Sequence, residues 1–126
     1  MSYTYLASPY SHPDWLVREV RFHAVETAIH TLIKKGVSVF SPIVYTHALA
    51  KKHKLPFTAG YWENLNESMV RAASELRILM LPLWQESQGI ARERNWAQQS
   101  NIPIRYLYCA EAGVSDLEKT LLKLAA

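Results

Sequence analysis

A chain of 126 residues, 49% hydrophobic and 20% charged, is sized and composed for one ordered domain with a buried core. Its formal charge of +3 falls short of the basic bias of a nucleic-acid binder. The lone Cys109 excludes an internal disulfide, no apolar run approaches the roughly 20 residues of a membrane span, and no secretory leader is visible, so a soluble cytoplasmic protein is expected.

Tyr3 to Ser8 is a β-rich run stopped by Pro9 and predicts the first strand. Ser11-His12-Pro13-Asp14 is turn chemistry leading into a helix. From Trp15 to Lys35, apolar residues at Leu16, Val20, Ala24, Val25, Ala28, Ile29, Leu32 and Ile33 follow helical spacing, and Gly36 ends the helix. Val37 to Ser41 predicts a second strand, ended by Pro42. Ile43 to Leu55 predicts a short helix with a basic end, Pro56 to Gly60 a loop, and Tyr61 to Ser74 another helix. Leu76 to Leu81, apolar except at Arg77, predicts a central strand covered on both faces. Ser87 to Ser100 predicts a helix, Ile102 to Cys109 a fourth strand, and Ser115 to Leu124 a last helix capped by Ser115.

Alternation of this kind predicts an α/β fold: a Rossmann-like or flavodoxin-like three-layer sandwich on a parallel sheet of four or five strands. Ligands of such sheets bind outside the carboxyl ends of the strands. Three segments should therefore face one another there: Ser8 to Asp14, Ser41 to His47, and Pro82 to Glu93. The first supplies Ser8, Tyr10, Ser11 and His12; Asp14 is expected to cap the first helix. The second supplies Ser41. The third supplies Glu86, Ser87 at a helix start, Gly89, where a ligand can approach the backbone, and Glu93. Neither a G-x-G-x-x-G nor a G-K-[ST] sequence is present, which argues against dinucleotide binding and nucleoside triphosphate hydrolysis. His12 and His47 are expected in loops on the crevice side, where an imidazole serves as acid or base or is simply solvated. His23 and His30 lie two helical turns apart, which is not metal-ligand spacing, and neither a metal nor a cofactor is expected. Trp62, Trp84 and Trp96 are expected in core or interface, with Trp84 beside the third segment and able to stack on a base.

Two motifs carry a resemblance. Tyr5-Leu6-Ala7-Ser8-Pro9-Tyr10 resembles the opening Y-L-A-[GS]-P-[YF] of nucleoside 2-deoxyribosyltransferases and their relatives. Ser87-Gln88-Gly89-Ile90-Ala91-Arg92-Glu93 resembles their [DS]-x-G-x-x-x-E segment. The order of elements matches over nearly the whole chain, and Ser41-Pro42-Ile43 resembles a small branch related to deoxynucleoside 5′-monophosphate N-glycosidases. The resemblance implies that Glu93 attacks C1′ of a nucleoside or nucleotide, that Tyr5 hydrogen-bonds the carboxylate and keeps its pKa low, and that a base or water then takes the sugar. Serine at position 87, where transferases carry an aspartate, leans the reading towards a 5′-monophosphate and hydrolysis. Ser8, Tyr10, Ser11, His12, Ser41, Asn66, Ser87 and Gly89 would bind the substrate. The resemblance also implies a homodimer or larger homo-oligomer, with the Tyr61-Trp62 helix and the Trp96 helix as candidate interface surfaces. Nucleic acid and membrane partners have no support.

Two positions depart from that pattern. Asn66 stands where the family usually has an aspartate in the helix before the third strand, and Ser74 where one often precedes that strand. Asparagine hydrogen-bonds but takes up no proton. The alternative reading is therefore a nucleotide sensor of the same fold without turnover. A cytokinin-activating type of phosphoribohydrolase would carry P-G-G-x-G-T-x-x-E, which is absent.

Overall fold

A computed structural model of the chain describes residues 2–57 and 59–125; Thr58, in the expected loop Pro56–Gly60, lies outside them. The chain runs β1 (Thr4–Ala7), α1 (Trp15–Lys34), β2 (Val39–Phe40), α2 (Pro42–His53), α3 (Ala59–Ala72), β3 (Glu75–Leu79), a 3-10 turn (Trp84–Glu86), α4 (Gln88–Gln99), β4 (Ile104–Leu107), α5 (Cys109–Ala112) and α6 (Ser115–Ala125). The four strands form one parallel sheet in the order β2-β1-β3-β4. The fold is thus the α/β Rossmann-like sandwich that the alternation predicts, with four strands.

Side chains of period two divide the core between the two faces of the sheet. Leu6, Leu79 and Leu107 pack with Val17, Ala24, Val25, Ala28 and Leu32 of α1 and Leu121 of α6. Tyr5, Ala7, Leu76 and Ile78 pack with Val70 of α3 and Ile90, Trp96 and Ala97 of α4. All four residues of β1 are buried, as a strand flanked on both edges and covered on both faces must be. Arg77 and Glu75, the two charged residues of β3, join a network at the amino end of the sheet. Arg77 Nη2 lies 3.1 Å from Glu75 Oε2, which also accepts from Thr4 Oγ1 at 2.7 Å, while Arg105 Nε lies 3.4 Å from Oε1. These ties sit at the end of the sheet opposite the expected ligand crevice.

The register of α1 differs from the expected one. Leu16 and Ile33 are 54% and 57% exposed, whereas Val17 and Arg21 are buried. The buried stripe runs Val17, Arg21, Ala24, Val25, Ala28, Leu32, so an arginine occupies a core-facing position. Asp14 caps the helix by accepting from the Leu16 N–H at 2.9 Å. Gly36 adopts φ +82°, the left-handed geometry of a helix stop.

Further boundaries moved: β3 runs Glu75–Leu79, against the expected Leu76 to Leu81. β2 pairs over only two residues, because the chain turns into α2 at Ser41-Pro42; Ser41 caps that helix and proline suits its first turn. α3 starts at Ala59, two residues earlier than expected. The fourth strand ends at Leu107 and a one-turn helix, α5, follows; the Glu111 carboxylate accepts from the Tyr108 N–H at 3.2 Å, and Gly113 ends the turn at φ +75°.

Candidate active site at the carboxyl ends of the strands

Strand order reverses between β1 and β3, since β1 is followed by β2 on one side and has β3 on the other. A cleft of about 420 Å³ opens there, within the range of roughly 300–1,000 Å³ usual for small-molecule sites. All three expected segments reach it: Ser8, Tyr10, Ser11 and His12 after β1, Pro42, Ile43 and Thr46 after β2, and Leu83 and Glu86 to Gly89 after β3. α3 adds Trp62, Glu63 and Asn66, and α4 adds Arg92, Glu93 and Trp96.

Glu93 lies in this wall with 6% of its surface exposed. The Tyr5 hydroxyl, projecting from the central strand towards α4, donates to Glu93 Oε2. Tyr5 is fully buried, so the pair is fixed by the core itself. Its hydroxyl stays protonated, because burial and the neighbouring carboxylate push its pKa well above the ordinary value. The expectation that this bond keeps the Glu93 pKa low is corrected. Burial raises it to about 7, and the Tyr5 hydrogen bond and the Arg92 charge offset only part of that rise. Desolvation wins because a single hydrogen bond does not replace the water a carboxylate loses.

Ser87 both lines the cleft and caps α4, accepting from the Ile90 N–H at 3.2 Å. The first turn of α4, at Gln88 and Gly89, therefore faces the cleft. A Cβ at Gly89 would meet only Ser87 Oγ, at 3.7 Å, so the backbone there is open to a ligand. Ser41 is corrected: it is buried, its Oγ accepts from the Val44 N–H at 3.3 Å, and it does not line the cleft, although Pro42 and Ile43 do. Trp84 packs against the core, as expected, but does not line the cleft where it could stack on a base. It is tilted against Tyr106, 5.6 Å between ring centroids, and the aromatic side chains that line the cleft are Tyr10, Phe57, Trp62 and Trp96. Trp96 is 8% exposed, a core residue rather than an interface surface.

His12 lines the cleft, with Nδ1 accepting from the Asp14 N–H at 2.9 Å. His47 lies inside α2, not in a loop, and is 3% exposed. Its Nε2 is 3.1 Å from Glu19 Oε1, which Lys51 also meets at 3.1 Å, and the Tyr10 hydroxyl bonds Nδ1. Phe22 and Trp15 stack on the ring. Burial lowers the His47 pKa despite Glu19, so the neutral ring donates from Nε2 to Glu19 and accepts from Tyr10. His47 thereby fixes Tyr10 at the cleft wall.

Four buried side-chain atoms lack a hydrogen-bond partner among the described residues: Ser8 Oγ, Arg21 Nε, Asn66 Oδ1 and Arg94 Nε. Three of these residues, Ser8, Arg21 and Asn66, line the cleft. Polar groups left unpaired in a native interior call for an explanation, and a cleft that gathers three of four points to a polar ligand. Arg21 escaped the sequence reading because a charged residue in an amphipathic helix is assigned to the solvent face by default. Four residues on from Val17, Arg21 falls within the apolar stripe. Among the described residues, no group of three or more His, Cys, Asp or Glu is placed to hold a metal ion.

Fold and site together define an α/β sandwich with a cleft at its strand ends and a buried carboxylate in the cleft wall. Residues 2–108 match the family model described as "Domain of unknown function (DUF1937)", and the chain belongs to that family. α5 and α6 lie beyond the matched segment. A search of curated proteins found no match.

Proposed function

We propose that this protein cleaves the N-glycosidic bond of a nucleoside or nucleoside 5′-monophosphate, with Glu93 as nucleophile. The observation that carries the reading is the buried Glu93 carboxylate in the cleft wall, held by the Tyr5 hydroxyl. It accords with the motif resemblance to nucleoside 2-deoxyribosyltransferases.

In the proposed reaction a Glu93 oxygen bonds to C1′ as the C1′–N bond breaks. The base leaves with the bonding electrons and takes a proton from water. Water, or a second base, then attacks C1′ of the glycosyl ester and restores the carboxylate. A desolvated carboxylate suits this step. The positive charge that develops at C1′ attracts the desolvated Glu93 carboxylate more strongly than the neutral ground state does, so stabilisation is greater in the transition state. Asn66 Oδ1 has no partner within the described residues and would accept from an amine or hydroxyl of the ligand. Trp62 and Phe57 offer apolar surface to a base.

Quenching the reaction at its steady state and mapping the peptides by mass tests the chemistry. The prediction is a sugar adduct on the peptide bearing Glu93. Turnover with no adduct at any time point would remove the covalent step. A homo-oligomer belongs to the same proposal, with exposed Tyr61 on α3 as a candidate contact; a monomer mass by light scattering would remove that part.

A further inference from the structure

Arg21 is the least explained charge in the molecule. It stands in the core-facing stripe of α1, is 5% exposed and lines the cleft. Among the described residues no carboxylate lies within ion-pair distance of it; the carboxylates of the cleft wall, Glu63, Glu86 and Glu93, make no salt bridge to it. Its one hydrogen bond runs from Nη1 to the Ser11 carbonyl at 2.9 Å, and Ser11 is an exposed residue that water serves equally well. Nε is buried without a partner. Burial alone pulls its pKa below the ordinary arginine value, and no anion offsets that.

A buried charge without a partner destabilises a fold, and replacing one by an apolar side chain is commonly neutral or stabilising. Packing therefore does not account for an arginine here. A guanidinium presents a planar fork of donors matched to carboxylate and phosphate oxygens, and its attraction to an anion is strongest where water is excluded. Ser8 Oγ, the other unpaired donor group on this side of the cleft, follows β1 and precedes the Ser11 carbonyl that Arg21 holds.

We propose that Arg21 is the anchor for an anionic group, phosphate or carboxylate, on the molecule that fills the cleft, and that it makes the site select charged over neutral ligands. Which sugar and base accompany that anion rests on the N-glycosidase reading; the anchor itself does not. Ligand binding completes the ion pair that the free protein lacks, and the anion enters a site whose cation is already fixed by the helix.

The test is calorimetric titration and thermal denaturation of the full chain and its Arg21→Met and Arg21→Lys variants. The probes are inorganic phosphate, ribose 5-phosphate, succinate, a set of nucleosides and their 5′-monophosphates. The expected result is that the phosphate or the carboxylate probes raise the melting temperature of the wild type. Arg21→Met should abolish this, weaken anion binding by about a hundredfold, and leave neutral nucleoside binding within about threefold. Arg21→Lys, with the charge but not the fork, should fall between. The ligand-free melting temperature of Arg21→Met should not drop, whereas a purely structural arginine would lower it. Anion binding that persists in a folded Arg21→Met or is absent from the wild type overturns the anchor, as does measurable binding of monophosphates that is no tighter than that of their nucleosides. Arg21-dependent binding of simple anions without any affinity for nucleotides keeps the anchor and removes the nucleotide reading.

Discussion

At the scale of single residues, the proposed chemistry turns on how Glu93 holds its proton. Burial raises its pKa to about 7, while the Tyr5 hydrogen bond and Arg92 pull it down. Loss of the Tyr5 hydroxyl must therefore push it higher. In Tyr5→Phe the rising limb of kcat/KM, set near pH 7 by the ionisation of free Glu93, should move to higher pH. Base release at neutral pH should fall about tenfold for each unit of displacement. An unmoved limb would uncouple Tyr5 from the carboxylate.

The same shift makes a prediction about stability that needs no substrate. Between its ordinary value of 4.5 and about 7, folded Glu93 holds a proton that the unfolded chain has released. Its contribution to stability is thus lost as pH rises through that window, reaching roughly 3 kcal/mol above it. Glu93→Gln removes the titration while keeping an acceptor for Tyr5. Relative to wild type, the variant should gain roughly 3 kcal/mol between pH 4.5 and about pH 8 in urea denaturation. A constant difference across that range would contradict the raised pKa.

Glu93 and Tyr5 were legible in the sequence because motif and strand pattern both mark them. Arg21 was not, because periodicity assigns charge to solvent, and only the buried register of α1 reveals it. Ser41 was placed in the site although its local role, capping α2, fully employs its hydroxyl.

At the scale of elements, local signals placed both ends of α1 and the start of α4, whereas Ser115, the expected cap of the last helix, is the first residue inside α6. Asp14, Gly36 and Ser87 fall where the sequence puts them. The short β2 and the one-turn α5 did not follow from pattern, since two-residue pairing and a single turn are below the length at which period is readable. The two kinds of contact should differ in weight. Ile78, fully buried in β3 between its two partner strands, should cost about 2–5 kcal/mol on truncation to alanine. Ser87→Ala removes only the cap of α4 and should cost about 1 kcal/mol. Urea midpoints with unchanged slopes would give both values; equal losses would mean that Ser87 does more than cap.

For the whole molecule, the order β2-β1-β3-β4 accounts for the location of the site. It brings segments far apart in the chain to one edge, and no helix among the described residues is long and apolar enough to cross a membrane. The alternation of elements made that edge predictable, but not which side chains converge on it from α1 and α3, because those depend on helix register and not on order. The measurement that bears most directly on the proposed activity is free-base release, by chromatography, from ribo- and deoxyribonucleosides and their 5′-monophosphates, with wild type and Glu93→Ala side by side and with and without an acceptor base. The account predicts release from at least one substrate, abolished in the variant. No release from any, with ligand binding still measurable, would contradict it and leave a nucleotide-binding module.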